Sequence, residues 1–428
     1  MPKIREHPAL TTPGVYMDPA TETGTLIPSL VPKTVEEPVV VKAVFDPSKP
    51  HFSMEEVAQH TTHDSAWFVV NDKVYDATPF LKAHPGGAES ILISAGIDTT
   101  EEFDAIHSKK AWKLLDDYYI GQLRPAVAEG DISPTTVTAI PEEVHRVNAN
   151  GDLLALDPKK KIAFTLSERI VLSPDSLLLR FALQTPKHVL GLPVGQHMLF
   201  SAKVDGSMVM RAYTPTSSDH DVGHFDLVIK VYYAGVSSQY PEGGKMSQYL
   251  GKMVVGDSIN VKGPLGHVTY EGKGVLILGQ ETHKVKKFSM LCAGTGITPV
   301  YQVLCAVLRD PKDTTEMSLI FANRTEADIL LKDELDMLAR GHPNRLKVHY
   351  ILSKPADSKK WLAGDGGNCP ATRSVGHLNK ELVVSKCALG GKDSGAFALL
   401  CGPDGFLSQA CDPALEAHGY PKEMCVYF

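Results

Sequence analysis

Two histidines in an acidic, helix-rich stretch have the character of a metal-binding pair. His84 is followed by Pro-Gly-Gly, and His107 comes 23 positions later, at the end of a helical pattern. Proline biases the residue before it toward an extended backbone and glycine allows a sharp turn, so His84 is predicted to lie in a loop. Two imidazoles on opposite faces of a haem iron leave no open coordination position. Such a site would pass electrons without binding oxygen or substrate at the metal.

The elements around these histidines are predicted to be short helices on a small sheet, an α+β domain over residues 49–124. Ser53 and Glu56 have the spacing of a capping box at a helix start, and Thr78 is expected to cap the helix that leads to His84. Strands are predicted at Ala66–Val70, Lys73–Asp76 and Tyr119–Leu123, and a turn at Asn71–Asp72 connects the first two. Further helices are predicted at Glu89–Ala95, from Thr99 or Thr100 toward His107, and at Lys110–Asp117.

Charge and composition exclude some classes of function. The net charge is −7, which argues against nucleic acid as a partner. Between His51 and Arg124 there are 12 acidic and 6 basic residues, so the histidine-bearing module carries most of the excess. That surface would suit a basic docking partner, or it is simply solvated. The seven cysteines show no CxxC pair, and the chain has no run of about 18 apolar residues and no apolar leader. We therefore expect a cytoplasmic protein with reduced thiols and no membrane anchor.

The middle of the chain, from Lys161 to about Gly279, has short alternating apolar runs broken by glycine, which predicts an antiparallel barrel. In Arg211–Thr216, alternation along a strand would point Arg211 and Tyr213 to one face, where a guanidinium could bind a diphosphate. Gly243–Gln248 places glycines and a hydroxyl before a helix start, where backbone N–H groups bind anions. Taken singly, each stretch is a weak signal, since an exposed Arg-x-Tyr strand is commonly a solvated face.

The last part of the chain alternates strands and helices, which predicts a parallel sheet. Phe288–Pro299 has the pattern strand, glycine turn and helix, which suits a phosphate-cradling unit although it is not GxGxxG. Further strands are predicted at Glu316–Ala322, Leu346–Leu352 and Gly395–Cys401, with a helix at Asp328–Arg340. Cys401 would end a strand at the edge where such sheets bind ligands, or it is a small core residue.

The stretch from Trp67 to Leu123 resembles the cytochrome b5 domain, which has a His-Pro-Gly-Gly motif and a distal histidine. The segment Glu101–Ser108, Glu-Glu-Phe-Asp-Ala-Ile-His-Ser, is similar to the version found in eukaryotic nitrate reductases. This resemblance implies that His84 and His107 are the axial ligands of haem b.

The region from Lys161 to Phe428 resembles the ferredoxin–NADP reductase superfamily, and within it cytochrome b5 reductase and the flavin part of nitrate reductase. The shared patterns are Arg-x-Tyr-Thr at Arg211–Thr214 and Gly-x-x-Ser at Gly244–Ser247. The resemblance implies FAD contacts from Arg211, Ala212, Tyr213, Thr214, Ile229, Lys230, Val231, Tyr232, Met246, Ser247 and Gln248, with Thr298 under the flavin. It also implies cofactor contacts from the turn residues Gly294, Thr295, Gly296 and Pro299. Cys401, beside the nicotinamide, and Thr214 are the implied catalytic residues.

Choice of nucleotide is expected to depend on Phe321–Asp328. In the family, the aspartate that matches Asp328 faces the adenosine ribose and would repel the 2′-phosphate of NADPH. NADH is therefore the expected donor, while Arg324 leaves NADPH open. The sequence departs from the family pattern at Cys292-Ala293-Gly294 and at Asp404-Gly405-Phe406, and it matches poorly at residues 355–377, which we expect to form a variable surface loop.

Together these features predict a linker at 1–48, a haem domain at 49–124, a hinge at 125–156, an FAD barrel at 157–280 and an NAD(P)H domain at 281–428. The predicted function is electron transfer from NADH through FAD to a bis-histidine haem, as the haem–flavin part of a nitrate reductase. The 48 preceding residues are too few for that family's molybdenum domain. The molybdenum-containing electron acceptor would therefore lie in a separate domain or subunit, and nitrate would be the final electron acceptor. Dimerisation is expected only through that missing domain. The alternatives are a self-contained cytochrome b5–reductase fusion serving a desaturase or hydroxylase, and a non-catalytic haem-binding interaction module.

Overall fold

A computed structural model of the chain describes residues 48–428, apart from positions 86, 125–145, 237, 239, 365–370 and 392. The predicted N-terminal linker lies outside the described residues except for its last position, and so does the predicted hinge up to residue 145. None of the helices in the described ranges combines the length and the hydropathy that crossing a lipid bilayer requires.

The first module, which carries both histidines, has a five-stranded sheet in the order β1-β5-β4-β3-β2. Its strands are β1 His51–Phe52, β2 Thr61–Thr62, β3 Ser65–Val70, β4 Lys73–Asp76 and β5 Tyr119–Leu123. Its helices are α1 Met54–Val57, α2 Ala88–Ser94, α3 Thr100–Ile106 and α4 Lys109–Leu115, with 3₁₀ turns at Thr78–Ala83 and Asp116–Tyr118. The predicted capping box is confirmed, because Ser53 and Glu56 exchange side-chain-to-backbone hydrogen bonds. The predicted turn at Asn71 and Asp72 is confirmed as well, with φ of 51° and 58°.

The second module is an antiparallel six-stranded sheet in the order β10-β7-β6-β11-β8-β9, as predicted. Its strands are β6 Ile162–Ser173, β7 Ser176–Ala182, β8 His197–Val204, β9 Ser207–Tyr213, β10 His224–Lys230 and β11 Ser258–Leu265, and its helix is α5 Lys245–Lys252. The sheet curls around an aromatic core. Phe225 lies on β10, which is one edge strand, and it packs against Phe200 on β8, which is next to the other edge strand. Residues 146–156, which the sequence placed in the hinge, join this module, since Ala155 and Leu156 are buried in its core.

A three-stranded meander joins the second module to the third. It consists of β12 Val268–Gly272, β13 Val275–Leu278 and β14 Glu281–Lys284. The third module is a parallel six-stranded sheet in the order β18-β17-β16-β15-β19-β20. Its strands are β15 Lys287–Ala293, β16 Glu316–Asn323, β17 Leu346–Leu352, β18 Thr372–Val375, β19 Ala396–Cys401 and β20 Cys425–Tyr427. Its helices are α6 Ile297–Arg309, α7 Lys332–Gly341, α8 Ser358–Ala363, α9 Lys380–Lys386, α10 Asp404–Phe406 and α11 Asp412–Ala417. The central strands are near-continuous apolar runs because helices cover both faces of the sheet.

Three local predictions were wrong. Thr78 does not cap the turn that leads to His84, because its hydroxyl accepts a hydrogen bond from Ala66 N at 2.9 Å and the cap position is Ala77. The helix predicted from Asp328 begins only at Lys332, since Leu331 has a left-handed backbone with φ of 55° that interrupts it. Residues 355–377 are not simply a loop, because α8 and the edge strand β18 lie within them.

Candidate functional site

His84 and His107 face each other across the first module. His84 follows the 3₁₀ turn Thr78–Ala83 with the extended backbone predicted for it, at φ −67° and ψ 125°. His107 follows α3 directly and is also extended. The centroids of the two imidazole rings are 6.2 Å apart. A metal–nitrogen bond of roughly 2 Å on each side would account for most of that spacing, and the rest is the distance from each ring centre to its nitrogen.

The second nitrogen of each ring is already hydrogen-bonded to the backbone. His84 Nδ1 donates to Gly87 O at 3.0 Å, and His107 Nδ1 donates to Phe103 O at 3.2 Å. This leaves each Nε2 as the acceptor nitrogen, which is the usual arrangement of a metal-binding histidine with a carbonyl behind it. Burial lowers the pKa of His107, so its ring is held in the neutral form that a metal ligand needs. The two residues therefore fit a bis-histidine haem site.

Aromatic rings hold the two imidazoles in place. Phe103 stacks on His107 with ring centroids 4.0 Å apart, and Phe80 lies edge-on to His84 at 5.8 Å. Phe103 belongs to an apolar cluster that also contains Leu81. A flat apolar macrocycle would find apolar walls here, which agrees with the chemistry of the ligand pair.

Helix α3, next to His107, docks on the barrel through ion pairs. Lys161 Nζ lies 2.7 Å from Glu101 Oε2 and 3.4 Å from Glu102 Oε1, and Lys262 Nζ lies 3.8 Å from the same Glu102 oxygen. The Lys262 side chain is only 4 % exposed. Burial lowers the pKa of Lys262, while the Glu102 carboxylate opposes that shift. Glu102 thus compensates a buried positive charge that belongs to the neighbouring module.

The glycine loop after His84 also lies close to the neighbouring module. A Cβ built on Gly87 would lie 3.7 Å from His267 Nδ1, and Gly87 has φ +81°. Both histidine-bearing segments of the first module therefore rest against the second.

In the barrel, the predicted strand end Arg211–Thr214 closes β9. Arg211 and Ala212 are exposed, Tyr213 is half-buried and Thr214 is buried. The Arg211 guanidinium donates to Met210 O through Nη1 at 2.6 Å. Burial, with Tyr232 nearby, raises the pKa of Tyr213. A guanidinium beside two phenols suits the diphosphate and ring of a flavin nucleotide.

The other predicted barrel residues divide into two groups. Ile229, Val231 and Met246 are each 2 % exposed and lie in the barrel core, so they can contribute only backbone atoms to a ligand. Tyr232 is exposed, and its hydroxyl lies 3.1 Å from Thr295 Oγ1 in the glycine turn of the third module.

Helix α5 carries the rest of the predicted barrel set. Ser247 Oγ accepts from Tyr232 N at 3.1 Å and donates to Gly244 O at 3.0 Å, so it ties the start of α5 to the end of β10. Gln248 donates to Glu242 O at 2.8 Å. These hydrogen bonds fix the backbone between the end of β10 and the start of α5, where the N–H groups of the first helical turn could bind an anion.

The glycine turn Gly294–Gly296 lies between β15 and α6. A Cβ on Gly296 would be 2.3 Å from Cys401 O, so only glycine fits where the turn passes the end of β19. Thr298 Oγ1 donates to Thr295 O at 3.3 Å, and Pro299 lies in the first turn of α6. The predicted residues Gly294, Thr295, Gly296, Thr298, Pro299 and Cys401 are therefore brought together. The Cys401 thiol donates to Phe428 O at 3.7 Å, a contact that the sequence did not predict.

Asp328 has partners other than those expected. Its carboxylate forms an ion pair with Lys230 and accepts from Thr325 N and Oγ1 at 2.9 and 2.7 Å. Burial alone would raise the pKa of Asp328, but these hydrogen bonds outweigh it and hold the pKa below its usual value. Lys230 also pairs with Asp175 at 2.9 Å. Two predicted cofactor residues thus join the barrel to the parallel sheet.

Some residues at the site were missed by the sequence reasoning. Lys161, Lys262 and His267 lie where the first module meets the barrel, and their partners are distant in sequence. At the end of β16, both side-chain polar atoms of Asn323 are buried without a hydrogen-bond partner. A buried amide without partners at the carboxyl end of a parallel strand is a mark of a ligand site, and a polar residue after an apolar strand could have indicated it.

Three protein families match the chain. The cytochrome b5-like haem/steroid-binding domain matches residues 53–124, the oxidoreductase FAD-binding domain matches 163–270, and the oxidoreductase NAD-binding domain matches 290–412. These matches show a chain that carries haem-, FAD- and NAD-binding domains.

Curated relatives and a solved structure extend the comparison. The chain is 44% identical over 385 residues to "Nitrate reductase [NADH]" of Volvox carteri and 45% identical over 390 residues to "Nitrate reductase [NAD(P)H]" of Hordeum vulgare. In both comparisons the match covers 88% of this chain and 42% of the relative, so the chain spans less than half the length of these relatives. The crystal structure of the cytochrome b5 reductase domain of Ulva prolifera nitrate reductase is 42% identical, with a TM-score of 0.58. It aligns with 64% of this chain and 99% of that chain.

Proposed function

This chain belongs to the haem- and flavin-binding family of the nitrate reductases, and on that premise we propose that it transfers electrons from NADH through FAD to a bis-histidine haem b. The observation that carries the proposal is the His84–His107 pair, with both Nε2 atoms available and docked on the flavin barrel through Glu102. We take the modules to be a haem domain at 49–124, an FAD domain at 157–280 that residues 146–156 join, and an NAD(P)H domain at 281–428, with the connection between the first two modules over 125–145.

FAD, when bound, accepts a hydride as an electron pair and releases electrons singly, which a haem requires. The residues of the chain orient that exchange. Arg211 and the N–H groups at the start of α5 would hold the flavin diphosphate, while Tyr213 and Tyr232 would pack against the flavin. The Thr214 side chain, buried at the end of β9, would fix the strand beside the reacting ring.

The third module would bind the nicotinamide nucleotide along the edge that Gly294–Gly296 and Cys401 form. The turn would bring backbone N–H groups at the start of α6 to the diphosphate of the nucleotide. Burial raises the pKa of Cys401 to about 11, so its thiol stays protonated and neutral beside a hydride path. Thr298, at the same helix start, would support the flavin from below.

Holo-protein reconstituted with haem and FAD tests the proposal. NADH should bleach the flavin bands, reduce the haem bands and support ferricyanide reduction. His107→Ala should abolish the bis-histidine spectrum and haem reduction while ferricyanide reduction through the flavin persists. His63→Ala is the matched control, because that histidine pairs with Glu89 on the surface of the same module. Absence of NADH-dependent ferricyanide and haem reduction in the unaltered protein would refute the proposal.

The acceptor beyond the haem is proposed to be a molybdenum-containing domain or subunit that reduces nitrate. The curated relatives are named nitrate reductases, and the chain covers 42% of their length. The isolated chain should therefore oxidise NADH with ferricyanide but not with nitrate. Nitrate-dependent NADH oxidation by this chain alone would contradict that division of labour. We place the protein in the cytoplasm, which suits the free thiols of the six cysteines that the structure describes.

A further inference from the structure

Two basic residues lie side by side just beyond the ends of two neighbouring strands of the parallel sheet. β16 and β17 run in register, with Asn323 opposite Leu352. Beyond the strand ends the backbones remain paired, because Ser353 N donates to Asn323 O at 3.0 Å and Lys354 N donates to Arg324 O at 2.7 Å. Arg324 and Lys354 therefore occupy neighbouring positions at the carboxyl edge of the sheet, and both are exposed.

Neither cation has a carboxylate partner among the residues that the structure describes. Within the ranges that the structure describes, no carboxylate lies at ion-pair distance from Arg324 or Lys354. The guanidinium and the ammonium are therefore available at this edge, as far as the described part of the chain shows.

The nearby carboxylates have other roles. Glu326 accepts from Ala356 N with both oxygens, at 3.2 and 3.1 Å. Asp357 caps α8 by accepting from the backbone of the first helical turn, and Asp328 is paired with Lys230 and Thr325. The acidic groups therefore hold the loops in shape, and none of them directly follows β16 or β17.

The position matters because it is where open parallel sheets recognise the adenosine ribose. In a strand–turn–helix–strand unit that binds a dinucleotide, the residue at the end of the second strand makes the distinction. An acidic side chain there hydrogen-bonds the 2′-hydroxyl of NAD, and an arginine accommodates the 2′-phosphate of NADP. Here the unit is β15, the glycine turn, α6 and β16. The residue directly after its second strand is Arg324, and Asn323, the last residue of that strand, has no hydrogen-bond partner for its amide.

We propose that Arg324 and Lys354 form a binding site for the 2′-phosphate, so that the chain uses NADPH as well as NADH. The proposal rests on the proposed function and specifies its electron donor. A guanidinium can engage a phosphate through two parallel N–H donors, and the lysine ammonium adds a point charge from the adjacent strand end. Asp328, the residue expected to exclude NADPH, has its charge compensated by Lys230.

Steady-state kinetics of the holo-protein with ferricyanide test the site. The variants Arg324→Ala and Lys354→Ala should each lower kcat/KM for NADPH about tenfold, because each loses a charge-assisted contact. Their kcat/KM for NADH should stay within about twofold of the unaltered protein, since NADH has no group at that position. Lys312→Ala is the matched control, an exposed lysine that precedes β16 at the opposite edge of the sheet.

Calorimetry supplies a readout that does not depend on turnover. Adenosine 2′,5′-bisphosphate should bind about tenfold more tightly than adenosine 5′-monophosphate, and the double variant should lose that preference. Two results would overturn the site: no preference in the unaltered protein, or variants that weaken NADH and NADPH equally. Failure of both NADH and NADPH to reduce the flavin, with the bisphosphate preference intact, would instead refute the proposed electron transfer and leave the site standing.

Discussion

Replacing Glu102 with glutamine probes how the haem-binding module is held on the flavin module. The substitution keeps the shape of the side chain and removes the charge that faces Lys262 and Lys161. Lys262 is 4 % exposed in the docked arrangement and Glu102 is its ion-pair partner, at 3.8 Å. After the change, Lys262 would either remain buried without a counter-charge or regain water by separation of the two modules.

The size of the effect follows from the geometry. Two unit charges about 4 Å apart attract by about 4 kcal/mol at an effective dielectric constant near 20. Removing one partner of a buried pair typically costs about 3–5 kcal/mol. Lys161 keeps its contact with Glu101 at 2.7 Å, and the glutamine amide oxygen can still accept a hydrogen bond from either lysine. We therefore expect about 2 kcal/mol, which shifts the docking equilibrium roughly thirtyfold toward the separated modules.

Stopped-flow absorption after mixing with NADH is the appropriate assay. Bleaching of the flavin should be unchanged in Glu102→Gln, because the nucleotide site lies in the other two modules. Reduction of the haem bands should slow by up to roughly thirtyfold. Lys262→Met combined with Glu102→Gln should recover part of the rate, since a buried ion pair can be replaced by apolar side chains.

The control is Asp104→Asn, which removes an exposed acidic charge from the same helix. Its haem reduction should match that of the unaltered protein. If Asp104→Asn and Glu102→Gln slowed haem reduction equally, the general acidity of the module would govern docking and the specific pair would not. Unchanged haem reduction in Glu102→Gln at low salt would refute the reasoning altogether.

Three further changes test other parts of the structure. Burial lowers the pKa of His349 to about 4, so the stability present above its unfolded pKa of about 6.5 is lost as the pH falls toward 4. In urea unfolding, the loss of unfolding free energy between pH 7 and pH 5 should be about 2 kcal/mol smaller in His349→Gln than in the unaltered protein. Gly296→Ala should destabilise the third module by about 1–3 kcal/mol, because its Cβ would meet Cys401 O at 2.3 Å; thermal unfolding measures this, and an unchanged transition would contradict it. Gly87→Ala should cost about 1–2 kcal/mol at φ +81° and speed haem dissociation to an apo-globin acceptor, whereas equal dissociation rates would count against strain at this loop.

Local chemistry made several parts of this protein predictable. The extended backbone of His84 follows from the proline after it, and the start of α1 follows from Ser53 and Glu56. The strands of the parallel sheet were visible as apolar runs because both faces are buried. Errors arose where a side chain or backbone had a competing partner: Thr78 bonds Ala66 and not its own turn, and Leu331 adopts a left-handed backbone that delays α7.

The sequence by itself determined which residues could do the chemistry: an imidazole pair 23 positions apart, an Arg-x-Tyr-Thr strand end and a glycine turn. Only the tertiary structure decided which charges meet. Glu102 and Lys262 are 160 positions apart, Lys230 and Asp328 are 98 apart, and Arg324 and Lys354 become neighbours only when β16 pairs with β17. The physical reason is one of range. Backbone preferences and caps act over a few residues, whereas the partner of a buried charge depends on how whole sheets pack and on the cost of leaving that charge alone.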